Sequence, residues 1–213
     1  AFYPEIRISP AKGKFFALDE QKLTAVRTLN GVTALTTVIE DNVLINSNDE
    51  QYVATLKGID RHYMEVNNVK PYIIEGRDSV IEGAVPTAIA GLRIVNQLGM
   101  DVNNVFSRLH IYYPNTEVDN LAANPMSAFQ NLQLKPDGVF RVQDEFDSRF
   151  ILAPITLVQE LFLQPGQYSS VELSLGQGAD ADMIKEQLQQ LLGKEYEVYT
   201  RYEQNRTLYM VMK

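Results

Sequence analysis

The stretch GQGADA, Gly176-x-Gly178-x-x-Ala181, follows an alternating run and opens a helical one, the spacing with which dinucleotide-binding folds cradle a pyrophosphate. Glu195 and Glu197 stand where the acidic partner of a ribose would be sought. The context argues against that chemistry. Asp180 and Asp182 would put carboxylates where the pyrophosphate must sit, and only 16 residues of the sequence follow Glu197, too few for a doubly wound sheet. A strand-to-helix turn whose aspartates cap the helix and favour its dipole fits better. His62, beside Asp60 and Arg61, and His110, inside a strand-like run, both lack a second histidine at metal-ligand spacing, so both read as structural. Asp144, Glu145 and Asp147 lack the alternate spacing and central glycine of a calcium loop and read as a solvated strand end. Without cysteine, a nucleophile elbow or a Walker sequence, the chain is expected to be no enzyme, with no catalytic residue, cofactor or metal. Tyr196, Tyr199, Tyr202 and Tyr209, gathered near one end, read as packing and interface anchors rather than a stacking platform.

Composition narrows the partners. The 213 residues carry 27 acidic and 19 basic side chains, a net charge of -8, the wrong sign for holding phosphate backbones or anionic lipid heads, so nucleic acid is excluded as a partner. At 45% hydrophobic residues a substantial core is expected. No run reaches the ~18 apolar residues of a membrane span.

The elements that position these residues follow from periodicity. Ile6 and Ile8 alternate with Glu5, Arg7 and Ser9 as a strand, and Asp19 caps a helix over 19–29 that stops at Asn30-Gly31. VTALTTVIE, NVLIN and QYVATLKGI read as three strands, broken at Asp41-Asn42 and at Ser47-Asn48-Asp49, the first two forming a hairpin. SVELSL is a strand, and Ile184, Leu188, Leu191 and Leu192 share one face of the next helix, which Gly193 stops before the strand YEVYT. These pieces predict an α+β protein of two lobes. One is a split βαβ, ferredoxin-like layer over 1–59 and 166–213, and the other a β-rich lobe inserted over 60–165. The inserted lobe holds a short helix at LRIVNQLGM, strands RLHIYY, GVFRVQDEF and RFILA, and a helix from Pro154 to Phe162. Between Pro114 and Pro136 a loop longer than compact domains usually tolerate is expected to be functional or mobile.

In order, VATLKGIDRHYMEV, IIEGR, AIAGLRIVNQLGM, GVFRVQDEF…FILAPITLVQELF and VELSL…IKEQLQQLLGKEYEVYTRYEQNRTLYMVMK resemble the extracytoplasmic domain of FtsX-like ABC transporter permeases, nearest the lipoprotein-releasing (LolC and LolE) and macrolide-exporter (MacB) branches. The resemblance spans essentially the whole chain, its motifs being Gly58, Gly76, Gly91, Leu98-Gly99 and Tyr202 to Asn205; Asp144-Glu145 departs from it. It implies a porter-type layer and an inserted sabre-type lobe, placed between the first two membrane helices at the periplasmic face of the inner membrane. It further implies a cytoplasmic ATPase subunit, a second permease subunit, and a non-catalytic relay of helix movement to lipoprotein cargo and a soluble carrier. Asn124, Pro125, Met126 and Phe129 occupy the position of the carrier-binding loop. Efflux of MacB type, or FtsX-type regulation, is the alternative, and a small-molecule sensor or binding module is a further one. A helix beginning near Arg201 turns apolar at Leu208, Tyr209 and Met212, so Tyr202, Asn205 and these three are expected to form the junction with a membrane helix; both ends of the sequence read as cut from a longer chain.

Overall fold

A computed structural model describes residues 3–115 and 128–205. In chain order the elements are β1 (Ile6–Pro10), α1 (Glu20–Arg27), β2 (Val32–Ser47), β3 (Glu50–Ile59), α2 (Tyr63–Val66), β4 (Ile73–Gly76), β5 (Thr87–Gly91), α3 (Leu92–Gln97), β6 (Leu109–Pro114), β7 (Phe129–Phe140), α4 (Asp144–Asp147), β8 (Phe150–Pro154), α5 (Ile155–Leu161), β9 (Ser170–Leu175), α6 (Ala181–Leu192) and β10 (Tyr196–Thr200). They make an α+β protein of two compact units. Unit one comprises Ala1–Ile39, Asp60–Val69 and Gly166–Lys213; unit two comprises Glu40–Ile59 and Lys70–Pro165.

Unit one is a four-stranded antiparallel layer in the order β10, β1, β9, β2, the strand order 4-1-3-2 of a ferredoxin-like split βαβ. Ile6 and Ile8 of β1, Val171 and Leu173 of β9 and Leu35 of β2 point to one face. They pack there with Leu23 and Val26 of α1 and with Ile184, Leu188 and Leu192 of α6. The spacing of these last three by four residues is why α6 lies flat on the sheet, and each such burial stabilises by about 2 kcal/mol. Leu191 faces water instead, 46% exposed, because it stands one position off that stripe. Asp19 caps α1 by accepting the N–H of Lys22, but the helix ends at Thr28, ahead of Asn30-Gly31.

The opposite face of the layer is polar but not all of it is wet. Glu172 is 1% exposed although alternation alone would leave it in water. Asn67, just past α2, donates to one of its carboxylate oxygens at 2.8 Å and the Ser170 hydroxyl to the other at 3.3 Å. Asp60 ties the same segment down: its carboxylate accepts the Thr36 hydroxyl at 2.6 Å, the N–H and hydroxyl of Thr37 at 2.9 and 3.1 Å, and the N–H of His62 at 2.9 Å.

In unit two the pairings close on themselves. The second half of β2 bonds β3, β3 runs parallel to β8, β8 antiparallel to β5, β5 parallel to β7, and β7 antiparallel to β6, which returns to β2; β4 adds to β7. Such a ring leaves its members no free edge where they pair. β5 and β8 are buried along their whole length; β8 stands where the run RFILA reads as a strand, whereas β5, TAIAG, shows no two-residue alternation and does not read as one.

Three boundaries differ from the sequence reading. VTALTTVIE and NVLIN are one strand, β2, since Asp41 and Asn42 do not turn the chain: the Asn42 side chain accepts the Thr55 hydroxyl at 3.0 Å. The hairpin is made by β2 with β3, across Asn48 and Asp49, whose φ of 51° and 64° suit a two-residue turn of the primed kind. GVFRVQDEF is not one strand. β7 ends at Phe140, Asp144–Asp147 is a single helical turn, and Asp147 is buried, accepting the Val142 N–H at 2.8 Å. β7 starts at Phe129 and runs through Pro136, so 129–136, expected as part of the loop, is strand, while 116–127 lie outside the described residues.

Candidate functional site

β1 and β10 pair with Ile6 opposite Thr200, so the chain entering unit one and the chain leaving β10 lie side by side. The exit is built by TRYE. Thr200 caps residues 201–205, which are helical; the Glu203 carboxylate accepts the Thr200 N–H at 2.9 Å and the Thr200 hydroxyl faces the Glu203 N–H at 3.5 Å, a capping box. Lys185 of α6 holds the other carboxylate oxygen at 2.5 Å. Burial works against the charged form of Glu203, but Lys185 and the Thr200 bonds outweigh it and hold the carboxyl below its ordinary range.

Two further residues fasten exit to entry. Arg201 donates from its backbone N–H to Glu5 O and from its guanidinium to Tyr3 O, both at 3.0 Å. The buried Gln204 amide donates to Pro4 O at 3.2 Å. Of the expected junction, Tyr202 is 75% exposed and Asn205 half-buried on this segment, while Leu208, Tyr209 and Met212 lie outside the described residues. Sequence reasoning missed Thr200, Arg201, Glu203 and Gln204 as the clamp; the T-x-x-E spacing was the available signal.

The second candidate is the β6–β7 hairpin. Phe129 pairs with Pro114 and is half exposed, and the Asn115 N–H continues the ladder to Ala128 O at 2.8 Å. Asn124, Pro125 and Met126 lie outside the described residues, so what the structure gives is the base of the loop. That base is firm. Tyr113 donates its hydroxyl to Asp41 at 2.8 Å and packs on Phe162 with ring centroids 4.4 Å apart. Burial, then the Asp41 bond, pushes its phenol well above the usual range.

The positions weighed for chemistry are otherwise engaged. Asp180 accepts the N–H groups of Asp182 and Met183 at 3.0 and 3.1 Å, occupying the helix end where a phosphate would sit. Asp144 is forked to Arg93 at 2.5 Å, a bond that holds its carboxyl below the ordinary range. The Arg61 guanidinium donates to the His62 ring at 3.1 Å, and His110 shares a bond with Gln133. Among the described residues no cluster of His, Asp and Glu could hold a metal, and no helix is long and apolar enough to cross a membrane. Tyr196 packs edge-on against Phe16, centroids 5.6 Å apart, and Tyr199 bonds Glu197.

No family model and no curated protein matches the chain. Solved structures do. The periplasmic region of MacB from Actinobacillus actinomycetemcomitans superposes with a TM-score of 0.64 at 11% identity, covering 96% of this chain and 92% of that one. The extracellular domain of the noncanonic ABC-type transporter YknZ from Gram-positive bacteria gives 0.62 at 13% identity, covering 92% and 99%. A domain of a permease protein from Porphyromonas gingivalis gives 0.54 at 14%, covering 92% and 88%. The chain therefore has the fold of the extracytoplasmic domains of MacB-like ABC transporter permeases.

Proposed function

We propose that this chain is the extracytoplasmic domain of an ABC transporter permease and does no chemistry itself: it relays movement of flanking membrane helices, driven by a cytoplasmic ATPase, to cargo on the far side of the inner membrane. The observation that carries the reading is the clamp of entry to exit, Arg201 and Gln204 on Tyr3, Pro4 and Glu5, which brings the two ends of unit one to one place, as a domain inserted between two membrane helices requires. In this reading the ferredoxin-like layer is the porter-type lobe and the inserted β-rich lobe the sabre-type one. Movement would enter through Tyr202, Asn205 and the following Leu208, Tyr209 and Met212. The test is a glycine pair at Asn205 and Arg206 in the full-length transporter. ATP hydrolysis should continue while transport falls; transport at the wild-type rate would sink the reading.

Within that frame we assign lipoprotein release, with a soluble carrier engaged by Asn124, Pro125, Met126 and Phe129, on the strength of loop position and the exposed Phe129. Titrating a purified lipoprotein carrier against the full-length protein and against a Met126→Ser, Phe129→Ser variant checks it: binding weakened by the variant supports it, and no binding to either removes it. Efflux of MacB type is the second reading, favoured by the superposition on a MacB periplasmic region.

A further inference from the structure

β10 is the outer strand of the unit-one layer, bonded along one side by β1. In an antiparallel pair successive residues send their backbone groups alternately toward and away from the neighbouring strand. The Arg201 N–H donates to Glu5 O at 3.0 Å and the Ala11 N–H to Glu195 O at 2.9 Å, so residues 195, 197, 199 and 201 bond toward β1. Tyr196, Val198 and Thr200 therefore aim their backbone groups out of the layer, where a row of open donors and acceptors would admit another strand. That row is plugged at both ends. The Tyr196 C=O accepts the side-chain amide of Gln189 from α6 at 2.7 Å, and the Tyr196 N–H donates to Gly193 O at 3.4 Å. The Thr200 N–H donates to the Glu203 carboxylate at 2.9 Å. Val198 lies between the two plugs.

Register decides what the open row would take. The run YEVYT can lie antiparallel to a second copy of itself about Val198, which sets Tyr196 opposite Thr200 of the second copy and Glu197 opposite Tyr199 of the second copy. In that pairing the Tyr196 C=O and the Thr200 N–H bond one another across the two-fold axis. These are the two groups that Gln189 and Glu203 already hold. The side chains match as well, because Tyr199 bonds Glu197 within one strand and would face the same carboxylate across the pair, with no two carboxylates opposed. We infer that β10 is a strand-pairing surface for a second copy of this chain, held shut by Gln189 and Glu203. The inference rests on bonds inside unit one, is independent of the transport reading and of the β6–β7 hairpin, and its failure would leave both standing.

Gln189→Leu combined with Glu203→Ala opens both ends of the row. Sedimentation of the 213-residue chain over a concentration series should show self-association about tenfold tighter in this variant than in wild type, the effect of the backbone bonds set free to pair. Amide exchange reads the edge itself. In wild type the Val198 amide should exchange faster than that of Tyr199, which faces β1, and in the variant Val198 should gain protection as concentration rises. Lys185→Met removes the ion pair of Glu203 but leaves its bond to Thr200, so it should associate no more than wild type. If the double variant fails to fold, Gln189→Leu alone carries the test with the same two readouts. Four results would overturn the inference: a folded variant no more associated than wild type, association without protection of Val198, equal association by Lys185→Met, or a wild-type Val198 amide as protected as that of Tyr199.

Discussion

Thr200 and Glu203 cap one another: the carboxylate takes the Thr200 N–H at 2.9 Å, and the same carboxylate group reaches Lys185 of α6 at 2.5 Å. One glutamate thus fixes both where the exit helix starts and how it lies against unit one. Replacing Thr200 with Ala removes the cap alone and should lower unfolding stability by about 1 kcal/mol. Glu203→Gln should loosen cap and ion pair together. Denaturant titration of the two variants, with amide exchange at 201–205 as a local readout, measures both.

The same glutamate predicts a pH dependence. Its folded pKa is depressed, so its contribution is present above the unfolded carboxyl range and is lost as pH falls through the folded value. Wild type should lose more stability between neutral and acid pH than Glu203→Gln does. Equal losses in the two proteins would show that Lys185 and Thr200 do not hold the charge.

Alkaline titration should separate the tyrosines. The Glu197 bond, then burial, pushes Tyr199 up to about 12, so its phenol ionises late. Ultraviolet phenolate absorbance should show late ionisation that Tyr199→Phe diminishes, the raised Tyr113 phenol remaining. Because this pKa is raised by folding, the contribution of Tyr199 persists below the unfolded phenol range and disappears as pH rises through the folded value.

Gly91 and Gly178 should respond unequally to alanine. A Cβ at Gly91 would stand 2.2 Å from the backbone oxygen of Asp147, which cannot move without unseating α4, whereas one at Gly178 meets nothing within 4 Å and suffers only from a φ of 78°. Gly91→Ala should therefore cost about 3 kcal/mol as an overpacking change and Gly178→Ala about 1 kcal/mol. Thermal or denaturant unfolding ranks them.

Asp60→Ala should cost about 2 kcal/mol, because it leaves the hydroxyl of fully buried Thr36 without its acceptor. Asp60→Asn keeps an acceptor oxygen and should cost less. Protection of the Thr37 and His62 amides in hydrogen exchange should fall in the same order.

What the sequence by itself determined is what a few consecutive residues can encode. The alternation of Ile6 with Ile8, the spacing of Ile184, Leu188 and Leu192, and the caps Asp19 and Asp180 each depend on side chains within a turn or two, and those elements stand where their pattern put them. Tertiary structure decided whatever depends on chain arriving from far away. Asp41-Asn42 has turn chemistry, yet the chain does not turn there, because Thr55 and Tyr113 bond the two side chains that a turn would have used. Glu172 is buried because Asn67, a hundred residues earlier, covers it. β5 escaped notice because burial on both faces erases the alternation that marks a strand. The clamp of Arg201 and Gln204 on Tyr3 and Pro4, and the Tyr113 bond to Asp41 at the base of the β6–β7 hairpin, are likewise non-local, since each joins groups whose proximity exists only once the sheets have paired.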